Sequence, residues 1–140
     1  MLFRSPHHEQ AVSMSETALK KSRNQGILKL SRQIKSLQSS EMSQLTYWLK
    51  ATGSSLTMDH DMSMPGMLTA KELASLKSLT GTEFDRAFLK LMIKHHQGAL
   101  EMLYLISDSK NVEAKALAKA IKSAQSKEIK SMKLLLTKLK

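Results

Sequence analysis

A segment headed by two histidines occurs twice in this chain, and that repetition constrains the fold more than any other feature. His7-His8-Glu9-Gln10-Ala11-Val12-Ser13-Met14 recurs 88 positions later as His95-His96-Gln97-Gly98-Ala99-Leu100-Glu101-Met102. Ile34-Lys35-Ser36-Leu37-Gln38-Ser39-Ser40-Glu41-Met42 recurs 87 positions later as Ile121-Lys122-Ser123-Ala124-Gln125-Ser126-Lys127-Glu128-Ile129. The register holds across both segments, so the repeating unit is a pair of helices. A helical hairpin cannot bury its apolar stripe alone. Two of them pack most simply as an all-α, pseudo-twofold four-helix bundle.

Local signals agree. Two prolines and five glycines in 140 residues leave few breakers, and 4% aromatic content suits helices better than strands. Ser5-Pro6 reads as a cap followed by proline at the first helical position, and a helix follows from about His7 to Arg23. Asn24-Gln25-Gly26 breaks it, and a second helix runs from about Ile27 to Ala51. Residues 52–68 carry no period and contain Gly53, Pro65 and Gly66, which predicts a long loop. Thr69-Ala70-Lys71-Glu72 has the capping-box form and opens a short helix ending near Leu79. A second cap at Thr80-Gly81-Thr82-Glu83 starts a long helix to Ile106, with Phe84, Phe88, Leu91 or Met92, His95, Ala99, Met102 and Ile106 on its stripe. After a turn at Asp108 to Asn111, the last helix runs from Val112 to Leu139 with Leu117, Ile121, Ala124, Glu128, Met132 and Leu135 inward. The expected organisation is one domain over 1–140: a first repeat over 1–51, the linker and short helix over 52–80, and a second repeat over 81–140.

Lys and Arg outnumber Asp and Glu by 22 to 12. The lysines of the last helix alternate with apolar residues at helical spacing, so they read as a solvated face, and no nucleic-acid partner is expected. No apolar run reaches the roughly 18 residues of a membrane span, and the first residues carry no recognisable export signal. There is no cysteine nucleophile, phosphate-binding glycine loop or recognisable triad, so an enzyme is not expected.

The absence of cysteine also excludes thiolate metal sites, leaving imidazole and thioether as the soft donors. Four of the five histidines lie in the two repeated pairs. A single histidine on an apolar stripe usually belongs to the core; two matching pairs are better explained as ligands. Adjacent helical residues point about 100° apart, so one histidine of each pair is expected inside and the other toward a groove or solvent. His95 lies near Met92 and, further along, Met102; His96 shares a face with Met92. His7, His8 and Met14 form a related first-copy site in which Arg4 stands where the second copy has Met92. Met58, His60, Met62, Met64 and Met67 crowd into the polar linker, without the helical spacing of core-filling methionines. The plain alternative is that these methionines plug one end of the bundle. The thioether and imidazole set suits Cu(I) or Ag(I) better than zinc or iron. Glu41 and Glu128 occupy equivalent inward positions and are expected to contact histidines of the facing helices. A ferritin-like carboxylate di-metal centre is the rival, but no Glu-x-x-His motif occurs.

The segment from Phe84-Asp85-Arg86-Ala87-Phe88 through Met92-Ile93-Lys94-His95-His96-Gln97-Gly98-Ala99, with His7-His8-Glu9-Gln10-Ala11-Val12, Met64-Pro65-Gly66-Met67 and the Gln125/Glu128/Met132 spacing, resembles the bacterial family called domain of unknown function 305. The resemblance spans essentially the whole chain. It implies a ferritin-like four-helix bundle, and the family includes exported copper-binding proteins of the CopM type. It further implies that the His pairs and the Met-rich linker bind Cu(I) in the periplasm or outside the cell. Expected partners are the metal ion, other copper-handling proteins and a second copy of the chain. The remaining alternative is a metal-free structural or interaction bundle that docks an acidic partner on its basic last helix.

Overall fold

The structure is a computed structural model that describes residues 6–36, 67–107 and 112–139, apart from the side chains of 6–8, 102–107, 113, 114 and 117. The protein is all-α. Its described helices are α1 (Pro6–Lys21), α2 (residues 25–36), α3 (Ala70–Ser78), α4 (Gly81–Ser107) and α5 (Val112–Lys138). Among the described residues there is no strand, and no helix is long and apolar enough to cross a membrane.

The junctions show why the helices begin where they do. Asn24 does more than break the chain. Its Oδ1 accepts from the Ile27 N–H at 3.2 Å, and its carbonyl accepts from Leu28 N at 2.9 Å. Asn24 therefore caps α2, which starts two residues earlier than the periodicity predicts, while α1 stops at Lys21 instead of Arg23. Gly26 falls in the first turn of α2 for a packing reason. A Cβ there would sit 2.5 Å from a Leu135 methyl, so its absence lets α5 approach.

Thr69 caps α3 through a complete capping box, with Glu72 N donating to Thr69 Oγ1 at 3.0 Å and Thr69 N donating to Glu72 Oε1 at 2.9 Å. Thr69→Ala is expected to lower stability by about 1 kcal/mol in a denaturant titration. The backbone N–H of Thr69, together with Lys94 at 3.2 Å, holds the Glu72 carboxyl below its usual value of 4.5. A depressed carboxyl contributes stability above its unfolded value and loses it as pH falls through the folded one. The stability gap between the protein and Glu72→Gln is therefore expected to narrow in melts taken below about pH 4.5, and a constant gap would contradict it. Gly81 opens α4 with φ +62, and no atom lies within 4 Å of the point where a Cβ would stand. Gly81→Ala therefore costs only backbone strain, about 1–2 kcal/mol.

α4 is the central element and packs against α5, α1 and α3. Phe84, Phe88, Leu89 and Met92 are fully enclosed, and the two phenyl rings stack with centroids 6.0 Å apart. Ala11, Met14 and Ala18 of α1, Ile27 and Ile34 of α2, and Met132 of α5 complete the core. After its first turn, the exposed residues of α4 whose side chains are described form a narrow row through Lys90, Lys94, Gln97 and Glu101. Polar contacts tie α1 to the segments around it. Ser22 Oγ donates to the buried Asp85 at 2.7 Å, and the Lys21 ammonium reaches the carbonyls of Lys77 and Leu79. The Gln10 amide clamps Leu68 at both ends, donating to its carbonyl at 2.8 Å and accepting from its N–H at 2.9 Å.

Candidate metal centre

Met92, His95 and His96 lie within about one turn of α4, and all three are 0% exposed. This removes the solvent half of the expectation that one histidine lies inside and the other toward a groove or solvent. That expectation assumes a helix with a single buried face. α4 is covered on three sides, so the two directions separated by about 100° both lead into packed neighbours. The rings of His95 and His96 sit with centroids 6.4 Å apart and planes tilted by 59°.

α5 supplies the polar counterpart. Gln125, Glu128 and Met132 recur at helical spacing on its inward face, with exposures of 1%, 8% and 0%. Glu128 Oε1 meets His96 Nε2 at 2.8 Å, a Glu–His contact of the kind expected between these helices, made to the histidine next to the one on the inward stripe. Two buried polar groups are tolerated here because each satisfies the other. Glu128 Oε2 and Gln125 Oε1 are buried and have no hydrogen-bond partner among the described residues. Glu128 also borders a groove of about 440 Å³ whose lining includes Gln33 of α2 and Ser123, Lys127 and Ser131 of α5.

The other predicted ligands are distributed unevenly. Met14 is 1% exposed and packs within the general hydrophobic core. His7, His8 and Met102 lie on α1 and α4, but their side chains fall outside the described residues, as do Met58, His60, Met62 and Met64 entirely. Met67 is half-buried beside the clamped Leu68. Glu41 is also outside the described residues. Among the described residues no three His, Asp or Glu side chains come together as a metal-holding group, so the carboxylate-rich centre of the ferritin-like rival is not found there. Sequence reading missed the Gln10 clamp, whose partner lies 58 positions away and leaves no local signal.

The family "domain of unknown function (DUF305)" matches residues 4–136. A DUF305 fragment from Deinococcus radiodurans superposes with a TM-score of 0.81 at 32% identity, covering 95% of this chain and 89% of that one. A candidate secreted DUF305 protein from Streptomyces coelicolor gives 0.81 at 28% identity, covering 96% and 87%. CopM in its Cu(I)-bound form gives 0.73 at 30% identity, covering 96% and 90%, and CopM has also been solved with Cu(II) and with silver. No curated protein matches the sequence. With nearly its whole length matched and the helical bundle shared, the chain belongs to the DUF305 family.

Proposed function

We propose that this protein binds Cu(I) or Ag(I) through His95, His96 and Met92 and sequesters or hands on the ion without catalysing a reaction. The observation that carries the reading is the complete enclosure of two imidazoles and a thioether side by side on one helix, in a chain without cysteine. Soft, low-coordinate ions take such donors, and a site closed to solvent offers little of the water that harder ions keep. The copper- and silver-bound CopM structures support the same reading. Met58, His60, Met62, Met64 and Met67 serve as a capture segment, and His7, His8, Met14 and Met102 as auxiliary donors. The work is done outside the cytoplasm, where a cysteine-free site escapes oxidation to a disulfide.

The test is a competition titration with Cu(I), and separately Ag(I), against a chelator of known affinity. The variant carrying Met92→Ala, His95→Ala and His96→Ala is expected to bind at least a hundredfold more weakly at the tightest site, about 2.7 kcal/mol. Met92→Leu conserves volume and folding while removing the sulfur, and it is expected to lose about tenfold on its own. Unchanged affinity in both variants would overturn the helical site.

A further inference from the structure

We propose that Glu128 is a positioning residue for the metal site: its carboxylate holds His96 as the Nε2–H tautomer and so makes Nδ1 the nitrogen that binds the ion. This rests on the metal-binding reading and adds the choice of donor atom and the residue that makes it.

A neutral imidazole has one N–H and one lone pair, and either nitrogen can hold the hydrogen. A carboxylate oxygen only accepts. At 2.8 Å, with His96 fully enclosed and Glu128 8% exposed, a neutral ring facing an ionised carboxylate must carry its hydrogen on Nε2. Coordination through Nε2 would have to break this bond and leave the carboxylate beside an ion-bearing ring without its donor. Coordination through Nδ1 leaves the bond intact. Nδ1 is also the ring nitrogen nearer its own helix, where Met92 stands one turn earlier on the same face. As the ion withdraws electron density from the ring, the carboxylate at the opposite nitrogen stabilises the developing positive charge and strengthens the donor.

The position is built into the fold. Glu128 sits on α5 one turn after Gln125 and one turn before Met132, and both of these are enclosed against the facing helices. Its second oxygen has no partner among the described residues, so no described contact competes with His96 for the carboxylate. A purely structural hydrogen bond would be served equally well by either tautomer facing a neutral acceptor or donor. A carboxylate permits one tautomer.

The experiment uses the full chain labelled with ¹⁵N and reads the His96 ring nitrogens by long-range proton–nitrogen NMR, metal-free and with one equivalent of Ag(I). The expected metal-free spectrum shows Nε2 protonated and Nδ1 bearing the lone pair, and silver then shifts Nδ1. Glu128→Leu is expected to release the ring into a tautomer mixture and to weaken silver binding by about 10–100-fold. Glu128→Gln, whose amide can accept from the ring or donate to it, is expected to relax the tautomer preference in part and to lose less affinity than Glu128→Leu. The wild-type spectra decide the donor atom even where the leucine variant does not fold. Silver that perturbs Nε2 instead overturns this inference while the metal site stands. Silver that leaves both His96 nitrogens unchanged overturns the helical site and this inference with it.

Discussion

Phe88→Ala is expected to destabilise the fold by about 3–5 kcal/mol, the range for truncating a buried phenylalanine. The upper part of that range applies because of where the ring lies. Phe88 is 0% exposed, stacks on Phe84 at 6.0 Å, and belongs to a helix covered by α1, α3 and α5. A cavity at a helix surface that faces one neighbour can close by a small shift of that neighbour. A cavity beside α4 cannot, because movement toward it from one side opens space on another. With a midpoint shift of about 2–4 °C per kcal/mol for chains of this size, the melt is expected to fall by roughly 10 °C. Phe88 is also one turn before Met92, so the loss is expected to weaken silver binding by loosening the thioether that the core holds in place. A destabilisation below about 1 kcal/mol in urea titration would mean that α4 is not enclosed as described.

What the sequence reveals and what it hides divide along the range of the interaction. The capping box at Thr69 was legible because all its atoms lie within four residues, and the structure reproduces it bond for bond. The Glu128–His96 contact was legible only in part: Glu128 falls on an apolar stripe, where a polar group needs a partner on the facing helix, but the stripe of α4 carries His95 and not His96. The burial of both His95 and His96 was not legible. Periodicity assigns one inward face to a helix, and only the number of neighbours around α4 shows that two directions are inward. Asn24-Gln25-Gly26 carries the composition of a turn, yet the side-chain cap at Asn24 and the approach of Leu135 to Gly26 make it the first turn of α2. The Gln10 clamp depends on a contact 58 positions distant, which no window of local sequence contains.

His96→Leu alone is expected to destabilise the protein by about 3 kcal/mol, whereas His96→Leu combined with Glu128→Leu is expected to match or exceed the stability of the starting protein. Removing the imidazole leaves a buried carboxylate without its hydrogen-bond donor, which typically costs about 3–5 kcal/mol. The lower end applies because Glu128 borders the groove beside Gln33 and Ser131 and is 8% exposed, so its desolvation is incomplete. Replacing both residues removes the desolvated polar groups together and fills the space with apolar side chains, an exchange that is neutral or stabilising by about 1–4 kcal/mol in comparable buried pairs. The two changes are therefore strongly non-additive, as expected of residues in direct contact, and a double-mutant cycle by urea titration at constant m-value measures the coupling. Silver binding at His96 is lost in both variants. A stable double variant that no longer binds the ion would show that the pair opposes folding or leaves it unaffected, so that its presence answers to what the imidazole binds. If instead the double variant is at least as unstable as His96→Leu alone, the interior position of His96 has a structural cause that requires no metal.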